Sequence, residues 1–302
     1  MTEEVHLATS ELGFMASAPR PEDGRFVIAS ADGRVGVWEV EPVRAIATFD
    51  SRFAGVLGRI AVATTGGDLI VVAAELHDGV VAAYDGATGK QRWVLNLPRP
   101  VQQLCHARRS SDIAIVPDRG PLVIVDAENG VSLGSIPRVR GLYPNPNAPI
   151  AVAEYESHAA LVRTDPWAVI GRLLEPAAVL AVSFAPEAVM LSLSEDPDER
   201  ASFVQTYDLG GQLLWRDELP RGLNVPWLSY DLQLGEWVGV WHDPEQLEPD
   251  RVIRWHRDGE RAELFDLGIA QDYAFVRGAE YLASPGRVRQ ARTGTVVGAL
   301  QG

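Results

Sequence analysis

Two stretches of this 302-residue chain gather most of the groups that could do chemistry together. Ser194-Glu195-Asp196-Pro197-Asp198-Glu199-Arg200 and His242-Asp243-Pro244-Glu245-Gln246-Leu247-Glu248-Pro249-Asp250 hold eight carboxylates between them. Clustered carboxylate oxygens suit a hard cation, or a basic protein surface drawn in by complementary charge. A calcium loop needs an Asp-x-Asp-x-Asp-Gly spacing that neither stretch has, so no metal is assigned. What remains is a docking surface for a basic partner or a pair of solvated hairpin tips.

Other reactive groups are scattered. The sequence has no Gly-x-Ser-x-Gly elbow, no His-Glu-x-x-His pair and no phosphate-binding glycine loop. Cys105 is the single cysteine, which excludes an internal disulfide and a thiolate cluster and reads as a small buried hydrophobe. No catalytic residue and no cofactor are assigned, and the chain is expected not to be an enzyme.

The elements that would position the acidic stretches follow from an internal repeat. Gly33-Arg34-Val35-Gly36-Val37-Trp38-Glu39 is a glycine turn opening an alternating strand that closes on an aromatic and an acid. Gly79-Val80-Val81-Ala82-Ala83-Tyr84-Asp85 and Gly120-Pro121-Leu122-Val123-Ile124-Val125-Asp126 repeat it, with weaker copies around Ala159–Arg163, Ser202–Asp208, Arg251–His256 and Gly286–Gln290. The closing positions Glu39, Asp85, Asp126, Arg163, Asp208, His256 and Gln290 recur about every 42 residues, the period of a four-stranded propeller blade. A strand precedes each motif, as in Leu69–Ala74, and a Gly-containing turn and a further strand follow it, as in Gly89-Lys90 before Gln91–Leu95.

The expected fold is therefore all-β, a single seven-bladed β-propeller over 1-302 built of four-stranded antiparallel blades. The blades fall at 11-49, 57-97, 101-136, 140-174, 179-219, 225-267 and 271-300. Ring closure is either end-to-end contact or a latch strand from Val5–Ala8. Both acidic stretches join second to third strands of adjacent blades, which puts them on one face. Trp227, Tyr230, Tyr143 and Phe53 are expected near that face, with Arg52, Arg140 and Arg221 close by, a composition common at binding hot spots. The expected partner-binding set is Glu195, Asp196, Asp198, Glu199, Asp243, Glu245, Glu248, Asp250, Trp227 and Tyr230. His77, His158 and His242 occupy equivalent connections of alternate blades, about 10 Å or more from the channel wall at two strand spacings, too far apart to share one ion.

Asp32-Gly33-Arg34-Val35-Gly36-Val37-Trp38-Glu39 resembles the third strand of a WD-repeat blade, and Gly79 to Trp93 resembles a quinoprotein-type (PQQ-like, YVTN-like) repeat. The resemblance spans the chain and implies a propeller. It carries over no functional residues, because the Gly-His pair of WD repeats is absent and most blades lack the quinoprotein Trp.

Composition narrows the function classes. Forty-one acids against 27 bases give a formal charge of −14, which disfavours phosphate neutralisation and hence nucleic acid. Lys90 is the single lysine, the pattern of a GC-rich bacterial coding sequence. An acidic N-terminus and the absence of a long apolar run point to a cytoplasmic protein without membrane contact, expected to be a monomer. The leading functional expectation is a non-catalytic interaction module for a basic protein. The alternatives are an immunity protein or antitoxin that caps a toxin, and a channel-site enzyme or small-molecule binder of lactonase type using Asn145, Asn147 or Asn224.

Overall fold

The computed structural model describes residues 13–18, 23–30, 32–107, 111–174, 178–196, 201–220, 222–243, 249–268, 272–284 and 286–300. These form seven four-stranded sheets, each ordered as its strands occur in the chain, with every pairing antiparallel. This is the seven-bladed propeller that the repeat implies. The first strands, lining the channel, are Gly13–Ser17, Leu57–Thr65, Val101–His106, Val139–Pro144, Ala178–Phe184, Asn224–Asp231 and Ala274–Val276. The outer strands run Val43–Asp50, Gln91–Asn96, Ser132–Ile136, Trp167–Leu174, Leu213–Glu218, Arg261–Gly268 and Val296–Ala299.

The core lies between blades and not around the axis. Seven hydrophobic clusters fill the seven interfaces, such as Val27, Val35 and Val37 of blade one against Val62, Val71 and Tyr84 of blade two. Second strands are therefore covered on both faces, and Ile70 to Ala74 are fully buried.

Closing acids hold the turns that follow them. The Asp85 Oδ1 accepts the backbone N–H groups of Ala87 and Thr88, and Asp126 and Asp208 do the same in blades three and five. The turn glycine then sits on an aromatic ring of the preceding blade. Gly130 adopts φ 73° and a Cβ there would fall 2.8 Å from Trp93. Trp93 Nε1 in turn donates to Ala127 O at 2.8 Å.

The ring closes through side chains among the described residues. Asp272 Oδ2 of blade seven accepts the backbone N–H of Met15 in blade one at 2.7 Å. Glu41 of blade one is bonded to both Arg277 and Tyr281 of blade seven. Phe26, Trp38, Val276 and Tyr281 pack across the same seam. The alternative latch, Val5–Ala8, lies outside the described residues. Blade seven is complete within Ala274–Ala299, as the repeat implies.

Candidate functional site

Antiparallel alternation puts the connections between second and third strands on one face with the connections between blades. The blade-six connection, residues 243–249, lies between the second strand ending at His242 and the third starting at Asp250. Its base is tied by three bonded side chains. His242 Nδ1 meets Asp250 Oδ1 at 2.9 Å, and Asp250 Oδ2 accepts the Tyr273 hydroxyl of blade seven at 2.8 Å. Both carboxylate oxygens are thus engaged, and Asp250 is 1% exposed. Burial, with Asp250 beside the hydroxyl, drives the Tyr273 pKa well above its ordinary value.

Trp227 supports this cluster from the first strand of blade six. Its ring stands edge-on to His242 and to Tyr273, at centroid distances of 5.4 and 4.9 Å. Its indole N–H donates to Asp272 Oδ1 at 2.8 Å, so Asp272 joins blades six, seven and one. Burial of Asp272 pushes its pKa up to about 6, against the lowering effect of the bonds it accepts. The Asn224 Oδ1, opposite His242 in the ladder, is buried with no partner. Chemically, the Asp250 carboxylate holds the His242 imidazole in one orientation, with 18% of that side chain left exposed.

Sequence expectation and structure part company for several members of the predicted surface. Asp250 and Asp243 are buried, at 1% and 9% exposure, and are not available on an acidic rim. The base of the insertion is packed against the next blade through Asp250 and Tyr273. Tyr230 is 5% exposed and packs edge-on against Trp237 at 5.2 Å, near the opposite face. The strand runs through the propeller between Trp227 and Tyr230, so they do not share a surface. Trp227 is half-buried and committed to the Asp272 bond. Phe53 is 2% exposed, and Tyr143 donates to Val179 O of blade five at 3.1 Å, so both serve packing between blades.

In blade five, Glu195 and Asp196 belong to the second strand, Ala188–Asp196, and a bulge offsets Asp196 onto Ala201. The insertion there is four residues, 197–200, shorter than the sequence implied. Asp198, Glu199, Glu245 and Glu248 lie outside the described residues, as do Arg221 and the side chains of Glu195 and Asp196.

On the opposite face, the channel opens into a cavity of about 270 Å³ lined from six blades, with Ser17, Ser183, Ser229, Asn147, Phe184 and His106 among its walls. The His106 Nε2 is buried without a partner, and burial holds its imidazole down at about 4. Sequence reading missed His106 and Asp272. The signal available was a titratable residue at the end of an otherwise plain first strand for His106, and two residues before one for Asp272. Of the asparagines considered for channel chemistry, Asn147 lines this cavity, Asn145 is buried and caps the Asn147 N–H, and Asn224 lies at the other end. Cys105 is half-buried beside Leu142 O, and desolvation pushes its thiol up to about 12. No group of three metal-ligating side chains occurs among the described residues.

No family model matches the chain, and no curated protein matches it. Solved structures do. The computationally designed Ika8 protein superposes with a TM-score of 0.64 at 18% identity, covering 99% of this chain and 90% of that one. BamB from Moraxella catarrhalis gives a TM-score of 0.57 at 14% identity, over 91% of this chain and 81% of that one. At such identities the likeness is one of fold.

Proposed function

We propose that this propeller is a non-catalytic interaction module that takes a basic protein partner on the face bearing the connections between second and third strands. The observation that carries the reading is the clamp at the base of the blade-six insertion. His242 and Asp250 join the two ends of residues 243–249 at 2.9 Å, and Tyr273 ties that joint to blade seven. The clamp fixes the two flanking residues of a connection whose sequence carries Glu245 and Glu248. In the adjacent blade, Glu195 and Asp196 end the second strand, Asp198 and Glu199 belong to the equivalent connection, and the net charge of −14 favours encounter with a cation-rich surface.

The test substitutes Glu195, Asp196, Glu245 and Glu248 by Ser and compares proteins captured from the native lysate at low and at raised salt. Loss of a salt-sensitive partner by the variant is the expected result. Equal capture by both proteins overturns the reading.

A second reading, small-molecule binding in the channel, is favoured by the orphaned His106 Nε2 in the wall of the cavity. A ligand held there raises the melting temperature of the wild type and not of His106→Ala.

A further inference from the structure

Blades three and four enclose a groove of about 940 Å³ on the same face, in the two blades that precede those of the acidic connections. We propose that this groove binds an extended acidic peptide segment of a partner protein. The inference stands apart from the acidic connections, since it assigns the opposite charge to a different occupant.

Three arginines reach the groove: Arg119 from the loop between the second and third strands of blade three, Arg138 from the turn joining blade three to blade four, and Arg140 from the start of the first strand of blade four. All three are exposed. The acids lining it are Asp118 and Glu156, and both have partners: Gln102 Nε2 donates to Asp118 at 2.8 Å, and Arg140 pairs with Glu156 at 2.9 Å. Arg119 and Arg138 make no hydrogen bond or ion pair among the described residues. In a chain with 41 acids and 27 bases, this groove reverses the ratio and leaves two guanidinium forks open. Guanidinium groups present paired N–H donors that match the two oxygens of a carboxylate.

The backbone at Arg138 adds a second, independent observation. Its φ is 64°, a left-handed conformation that costs an L-residue on the order of 1 kcal/mol or more and that glycine would adopt freely. Here the corner between two blades carries a long cationic side chain at the mouth of the groove. The turn thereby sets the direction from which the guanidinium leaves the backbone.

The remaining lining suits a peptide better than a bare dicarboxylate. Tyr155 and His158 stack face to face at 4.9 Å, with an interplanar angle of 13°, and form a flat wall. Val169, on the outer strand of blade four, is 60% exposed at the rim. A ligand that alternates carboxylate and apolar side chains along an extended backbone uses both kinds of surface. Nucleic acid also offers anions, but the −14 charge of the chain opposes a polyanion of that density.

Fluorescence anisotropy with a labelled peptide of alternating Glu and Leu, and with its Lys-Leu counterpart, tests this at low salt. Wild-type protein is expected to bind the Glu-Leu peptide and not the Lys-Leu one. Arg119→Ser/Arg138→Ser is expected to weaken binding about tenfold or more, the scale of losing two charge-assisted contacts. Val169→Ser is expected to weaken it less, and Arg287→Glu, an exposed position of blade seven, not at all. Melting temperatures of the variants show that each remains folded. The proposal fails if wild-type protein does not bind the Glu-Leu peptide, or if the Arg287 variant loses as much as the double variant. It fails equally if succinate displaces the peptide completely at matched carboxylate concentration, because the site is then one for small dicarboxylates.

Discussion

The indole nitrogen of Trp93, on the outer strand of blade two, donates to the carbonyl of Ala127 in blade three at 2.8 Å, locking neighbouring blades at their rims. Trp215 repeats the contact from blade five onto Arg257 O of blade six at 3.0 Å. Each indole also carries the turn glycine of the next blade, Gly130 on Trp93 and Gly259 on Trp215. Where the aromatic is Phe49 or Phe265, the ring still carries the next glycine, Gly89 or Gly294, without offering a donor.

The two tryptophans differ in exposure, and the cost of losing the donor should follow. Trp93→Phe leaves a buried carbonyl without its partner and is expected to cost about 1 to 2 kcal/mol. Trp215→Phe breaks an exposed contact, where water replaces the donor, and should cost less. Urea denaturation of the two variants measures the difference, and equal costs would contradict the role of burial.

Gly130 meets two demands at once. Gly130→Ala places a methyl 2.8 Å from the Trp93 ring at a φ of 73°, whereas Gly66→Ala, at φ 59°, meets nothing within 4 Å. Gly66→Ala isolates the backbone penalty of about 1 kcal/mol. Gly130→Ala is expected to exceed it by a further 1 kcal/mol or so, as the price of overpacking. Thermal melts of both variants in parallel settle the comparison.

Asp272 and His106 make opposite contributions to stability across the acidic range. The Asp272 carboxyl titrates near 6 in the folded protein, above its unfolded value, so its contribution is fully present below about pH 4 and is lost as pH rises through 6. His106 titrates near 4, below its unfolded value of about 6.5. Its contribution is present above pH 6.5 or so and is lost as pH falls through 4. Asp272→Asn should therefore remove a decline in stability between about pH 4 and 6, while His106→Gln should remove a rise over the same interval. Chemical denaturation at several pH values reads both slopes, and unchanged slopes would refute the assignment.

The joint at the base of the blade-six insertion should behave as one unit. Asp250→Ala strands His242 and Tyr273 together and is expected to cost about 2 to 3 kcal/mol. Tyr273→Phe removes one bond and should cost about 1 to 2 kcal/mol. In a double-mutant cycle the combined loss is expected to fall short of the sum, because both substitutions break the same contact.

The blades were legible in the sequence because the third-strand motif recurs about every 42 residues and, in blades two, three and five, ends in a turn marked by Asp and Gly. Asp85, Asp126 and Asp208 perform local work, bonding N–H groups within four residues. The rim locks were half legible: Trp93 and Trp215 stand at matching places in the repeat, but their acceptors lie 34 and 42 residues away. The expected acidic set was misread at two of its members. Asp243 and Asp250 stand in an acidic, proline-containing stretch that reads as a solvated tip, and yet both are buried.

The chain by itself determined the strand period, the seven blades and their antiparallel order, since these depend on neighbours within one repeat. Tertiary structure decided what depends on two blades meeting. It placed Asp272 between Trp227 and Met15, 45 and 257 positions away, and turned Tyr230 into the core. It also set Arg119 beside Arg138 and Arg140 in one groove. Burial and ion pairing depend on what lies across a blade interface, and a repeat period carries no information about which side chains face one another there.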